Sequence, residues 1–133
     1  MGQAKAALDG GLERVVGTDV TGVGYISPTS VRNWNSMDSR ASWKVYIPEE
    51  SERELTICYS CDSLSAGQPY LVEVEGAGVI QAKTLAGPKG FGEFYTRHLG
   101  KIKFPHAGIY TVNVRPTAAP RKELFGLNWL FLE

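Results

Sequence analysis

From Ser42 onward the chain alternates apolar and polar residues in short runs, each closed by turn formers. The stretches SWKVYIP, ELTICYS, PYLVEVEG, VIQAKTL, GKIKFPHAG, IYTVNVRP and LNWLFLE follow in turn. Period two over four to eight residues marks a strand with one buried face, because successive side chains point to opposite sides. Seven such runs in about ninety residues leave little room for helices. The pattern predicts an all-β chain: an antiparallel β-sandwich of eight or nine strands, with no helix beyond a turn or two. Upstream, LERVV and VTGVGYI read as two further strands, with a turn from Gly17 to Asp19.

The same alternation names a core. Trp43, Val45 and Ile47 share one face of their strand, as do Leu55, Ile57 and Tyr59, then Tyr70, Val72 and Val74. Tyr110, Val112 and Val114 follow, and Leu127, Leu130 and Leu132 close the set. Each contributes roughly 1.5–3 kcal/mol on full burial. Trp43 and Trp129 lie inside strand patterns and are expected in the core. The segments 27–40 and 86–100 and the stretch TAAPRKE have no apolar period and read as loops. Long loops in a small domain are more often functional than incidental. Residues 1–11, rich in Ala and Gly, are expected to form a flexible N-terminal segment, with the sandwich domain over 12–133.

Composition narrows the function. At 133 residues the chain fits one domain with a real core. Lys plus Arg and Asp plus Glu are 14 each, so the net charge is zero. That argues against nucleic acid, which requires a basic surface to displace counterions, and offers no polybasic attraction to a membrane. No apolar run is long enough for a spanning helix. The start, MGQAKAALDGG, lacks the apolar core of a secretory signal. The expectation is a domain of a longer secreted or periplasmic protein. The two cysteines, Cys58 and Cys61, lie three apart at the end of a strand pattern. They point to opposite faces there and are expected to remain unbonded.

Catalysis has weak support. His98 and His106 flank the strand GKIKF as possible general bases, yet no nucleophile motif accompanies either. Asp38 and Glu93 could form a glycosidase-like pair, but 14 acidic residues offer many such pairs. The glycines of GPKGFG lack the lysine-serine ending of a phosphate loop.

Taken together, WKVYIP, ELTICYSC, AGQPYLVEVEG, GFGEFYT, LGKIKFPHAGIYTVNVRP and LNWLFL resemble the galactose-binding-like jelly roll. Carbohydrate-binding modules of families 6 and 35 show this order, and similar domains are appended to fucosidases, sulfatases and other polysaccharide-degrading enzymes. The resemblance spans residues 12 to 132. It implies that Phe91 stands where a tryptophan stacks on a sugar ring, with Phe94 as the more buried second aromatic. A further stacking aromatic precedes the W-x-V strand in those modules, and Trp34 is its nearest match. The asparagine that holds sugar hydroxyls before the last strand is replaced by Leu124, Phe125 and Gly126. Asn128 stands at an acidic position often involved in structural calcium, so no cofactor is expected.

The function expected is a non-catalytic carbohydrate-binding module, an accessory domain bound to a glycan on one side and to a parent catalytic domain on the other. The alternative is a structural or protein-contact domain without sugar affinity. In the first case Trp34 and Phe91 flank the sugar, because the axial C–H face of a pyranose is apolar. Asn33, Asn35, Lys89 and Glu93 serve its hydroxyls. Tyr25 and Tyr95 are candidates for the rim. In the second, Trp34 folds back as a lid over one end of the sandwich.

Overall fold

Alternating runs become sheets where neighbouring runs can share a ladder, and in the computed structural model the regular structure of the described residues is almost entirely antiparallel strand. It describes residues 7–9, 13–16, 20–21, 25–26, 29–32 and 34–133, the strands before residue 34 in backbone only. One sheet contains, in spatial order, β1 (Ala7–Asp9), β6 (Arg40–Ile47), β11 (Gly108–Pro116), β8 (Pro69–Val74) and β9 (Gly78–Lys83). The facing sheet contains β10 (Tyr95–Phe104), β7 (Ser51–Ser60), β12 (Gly126–Leu132), β5 (Thr29–Arg32) and β2 (Glu13–Val16). A two-stranded ribbon joins β3 (Val20–Thr21) to β4 (Tyr25–Ile26). Among the described residues, helix is limited to one 3₁₀ turn at Gly90–Gly92. The expected all-β antiparallel sandwich is the observed architecture.

Two loop expectations are corrected by strand pairing. Inside 27–40, β5 pairs with β2 through Arg32↔Glu13 to Thr29↔Val16, and Val31 lies opposite Leu127 of β12. The loop among the described residues therefore shrinks to 34–39. Inside 86–100, β10 begins at Tyr95, which lies opposite Tyr59 of β7. Its polar run TRHLG concealed an edge strand, where polar side chains on the outer face cost little. Within the segment expected to be flexible, Ala7–Asp9 pair with Ser42–Arg40 of β6. The strand total exceeds eight or nine because these short pairings carry almost no sequence period.

The core matches the alternation closely. Ile47, Leu55, Ile57, Tyr59, Tyr70, Val72, Val74, Tyr110, Val112, Val114, Leu127 and Leu132 are buried together, with Val45 and Leu130 packed against them. Trp129 departs from expectation. It lies opposite Cys58, one position out of phase with the inward Leu130 and Leu132. An irregularity between Leu127 and Trp129 lets Leu127 and Leu130 both face inward. Trp129 is left half-buried on the outer face, edge-to-face with Phe131 at 6.0 Å. The side chain of Trp43 lies outside the described residues. Both cysteines are free and buried. Burial raises both thiol pKa values, so neither presents a reactive thiolate.

Strand directions gather four connections, 34–39, 61–68, 84–94 and 117–125, at one end of the sandwich. The tight turns at 48–50, 75–77 and 105–107 lie at the other. At the loop end Trp34 is 0% exposed, its ring meeting Phe125 edge-on at 5.1 Å. The expectation that Trp34 offers an exposed stacking surface is thus corrected: its indole caps the core. Trp34→Ala should behave as a core truncation, costing about 3–5 kcal/mol in guanidinium unfolding. A loss below about 1 kcal/mol would mean that the cavity closes freely and the indole does not hold the loop end.

Candidate functional site

The loop end is built on an aromatic floor. Phe125 sits at its centre, with Trp34, Tyr59 and Tyr70 at 5.1, 5.0 and 5.3 Å between ring centroids. Three come from strand ends or the last loop and one from 34–39, so burying them draws those segments onto one surface. Main-chain bonds complete the joint: Leu124 donates to the Trp34 carbonyl at 3.0 Å and Gly87 to the Cys61 carbonyl at 3.0 Å.

Gln68 is the polar counterpart of that floor. It is buried, yet its amide nitrogen reaches the carbonyls of Ser65, Lys122 and Glu123 at 3.1, 3.3 and 3.4 Å. Its amide oxygen accepts from the main-chain nitrogens of Arg121 and Lys122 at 2.8 and 3.4 Å. Thr84 adds bonds to Ser65 and to Gln68 itself. A neutral amide with every group partnered can be buried without the cost of an orphaned donor. Sequence reasoning missed it, since a lone glutamine before a strand carries no local signal.

On this base stand the residues singled out from the sequence. Phe91 occupies the 3₁₀ turn and is half-buried. Exposed Glu93 approaches Lys89 Nζ at 3.7 Å and accepts from the Tyr95 hydroxyl at 3.3 Å. The Tyr95 phenol pKa is raised, first by desolvation and next by the Glu93 carboxylate. Gly87 is packed so closely on Tyr95 that a Cβ there would fall within the ring's van der Waals envelope. Gly90 takes a left-handed φ of 55° and lies against Asp62. Asn35 is exposed on 34–39, while Asn33 and the side chain of Tyr25 lie outside the described residues. Phe91, Lys89, Glu93 and Tyr95 are thus brought into one neighbourhood, and Trp34 lies beneath the loop end rather than on it.

The catalytic candidates scatter. His98 Nδ1 lies 2.9 Å from Glu54 Oε1 and 3.3 Å from Thr56 Oγ1, on the outer face of β10 and β7. Carboxylate and hydroxyl share one ring nitrogen, whereas a relay needs them on opposite nitrogens. His106 Nδ1 bonds the Ala107 carbonyl at 2.8 Å at the far end of the sandwich. The Asp38 main chain is tied to Ser36 Oγ, and Glu93 is engaged by Lys89 and Tyr95. Asn128 directs its amide to Cys58 Sγ at 3.9 Å. Among the described residues no three His, Cys, Asp or Glu side chains gather for a metal. A hard, oxygen-seeking cation has no fit beside that thiol. No helix of the described residues is long and apolar enough to cross a membrane.

No protein-family model and no curated protein matches the sequence. Solved structures do. The family 35 carbohydrate-binding module from Clostridium thermocellum superposes with a TM-score of 0.71 at 11% identity, over 96% of this chain and 90% of that one. The CBM35 of Cellvibrio japonicus Abf62 gives 0.66 at 19% identity, over 97% and 93%. An exo-β-1,3-galactanase from Phanerochaete chrysosporium gives 0.70 at 9% identity, where this chain spans only 27% of the enzyme's length. The fold is that of the galactose-binding-like carbohydrate-binding modules.

The fit of Gly87 against Tyr95 is testable. Gly87→Ala should displace the tyrosine ring, shifting its NMR resonances and lowering the midpoint of thermal unfolding. Unmoved Tyr95 resonances would contradict the packing described.

Proposed function

We propose that the protein is a non-catalytic carbohydrate-binding module, an accessory domain that holds a parent polysaccharide-active enzyme near its glycan. The observation that carries this reading is the gathering of Lys89, Glu93 and Tyr95, with Phe91 on the adjoining 3₁₀ turn. They lie at the loop end of a sandwich shared with carbohydrate-binding modules. A half-buried phenylalanine offers an apolar surface for a sugar's C–H face, and the charged and phenolic groups beside it are oriented for hydroxyls. The ligand is a glycan, the second partner is the catalytic domain of the same polypeptide, and the setting is secreted or periplasmic.

A second reading has observations of its own. Trp34 is buried, as a lid would be. On the outer face of the β1-containing sheet, Tyr46 and Ile109 stand directly opposite each other at 64% and 71% exposure. Such a pair suits contact with a neighbouring domain, a role compatible with sugar binding at the loop end.

An affinity-gel and glycan-array screen followed by titration calorimetry tests the proposal. Binding should fall in the roughly micromolar to millimolar range of a shallow site. Phe91→Ala should weaken it by about tenfold or more, the loss of one aromatic platform, with the unfolding midpoint little changed. Tyr46→Ala should leave glycan affinity intact. No retention on any polysaccharide would favour the protein-contact reading, and retention unaffected by Phe91→Ala would place the glycan away from the 84–94 connection.

A further inference from the structure

The outer face of the sheet that contains β11 carries its charges in a fixed order. Strand register sets Lys44 of β6 opposite Thr111 of β11. The main-chain nitrogen of Glu75, just past the end of β8, donates to the Thr111 carbonyl at 2.9 Å. Lys44, Thr111 and Glu75 therefore form one row, with the cation on one side of the central strand and the carboxylate on the other. The Lys44 ammonium donates to the Thr111 hydroxyl at 3.2 Å and, among the described residues, joins no ion pair. Glu75 and Glu73 share the side-chain amide of Asn113, at 2.7 and 3.3 Å. A neutral amide supplies hydrogen bonds there but no opposing charge. The row lies between two apolar exposures: Tyr46 beside Ile109 on the side of the 105–107 turn, and Val79 opposite Glu73 on the other.

Exposed apolar side chains set side by side leave water only against a partner. The order of the charges says which partner fits. Two copies stacked face to face on this sheet are related by a two-fold axis lying between them. An axis along β11 carries β6 of one copy over β8 of the other, because those strands flank β11. Lys44 then meets Glu75 of the second copy, and Glu75 meets its Lys44, so one favourable contact is made twice. Ile109, on the central strand, packs against Ile109 of the second copy. Sheets stack in this way about 10 Å apart with their strands roughly aligned. An axis across the strands instead lays β6 on β6 and β8 on β8, lysine towards lysine and carboxylate towards carboxylate, which like charges disfavour. A domain of unrelated sequence meets the row only if it carries the complement; a second copy carries it by construction.

We infer that this outer face is the interface of a homodimer whose two-fold axis runs along β11. Rotation about a strand axis preserves strand direction, so the loop ends of both copies point the same way. Two weak sites then face one polysaccharide together, and the second binding event becomes intramolecular. The dimer rests on the charged row and the apolar pair; only its joint presentation of two sites rests on the carbohydrate-binding reading.

The test is sedimentation velocity of the whole chain from about 5 to about 500 μM. It should show a reversible monomer–dimer equilibrium within that range, as suits an interface of modest size. Ile109→Asp should leave the chain monomeric with its unfolding midpoint unchanged, since the residue is exposed. Lys44→Glu and Glu75→Lys should each weaken dimerisation about tenfold or more, and the double variant should restore it. That rescue identifies the contact across the axis, because an axis across the strands would leave the single variants unweakened. Should Glu75→Lys fail to fold, Lys44→Glu and Ile109→Asp still decide. For glycan, Ile109→Asp should keep the per-site affinity for a soluble oligosaccharide and lose retention on the insoluble polysaccharide. A monomer at every concentration, or a dimer indifferent to Ile109→Asp and to the single charge variants, overturns the inference and leaves the carbohydrate-binding reading standing. A dimer that no polysaccharide retains overturns that reading and supports the interface.

Discussion

Burial of three aromatic rings around Phe125 is the constraint on which the loop end depends. Trp34, Tyr59 and Tyr70 reach Phe125 from 34–39, β7 and β8, and Phe125 itself closes 117–125. Large apolar surfaces removed from water stabilise whatever backbone arrangement lets them meet. Here that arrangement sets several connections side by side. Gln68 then fixes their separation, because one amide satisfies main-chain groups of 61–68 and 117–125 at once. The rings interlock, and half-buried Phe91 and exposed Glu93 lie on the 84–94 connection at the same end of the sandwich. A surface of this kind can bind a weakly held ligand without a large ordering cost.

Most of the sandwich was legible because its strands bury one face. Ile47, Leu55, Ile57, Tyr70, Val72 and Val112 alternate with polar neighbours, and alternation of that kind has one structural meaning. The short strands were illegible for the converse reason. Thr29–Arg32 earns its place through pairing with β2 and β12, and pairing between distant segments leaves no local pattern. Trp129 shows a different limit. The irregularity beside Asn128 changes which residues face inward, and a one-residue slip reverses faces.

The site was legible in part. Phe91, Glu93 and Tyr95 lie close together because they follow one another along the 84–94 loop and into β10, and a resemblance in sequence order was enough to find them. Trp34 was misplaced because a tryptophan in a polar loop looks exposed until its partner is known. That partner, Phe125, lies 91 positions away. Gln68 could not be found at all, because most of its partners lie on the main chain of 117–125. The outer face of the β7-containing sheet is the competing surface, since Trp129 and Phe131 stand there half-buried beside His98 and Glu54. A ligand could be sought on either surface, and the two make no residue in common.

The central claim is that ligand binds at the loop end. It is tested most directly by a two-dimensional NMR titration of the isotope-labelled chain with the best-retained glycan from the screen. The account predicts shifts concentrated on 84–94 and Tyr95, with Trp129 and Phe131 unmoved. Shifts confined to Trp129, Phe131 and His98, with the loop end silent, would contradict it.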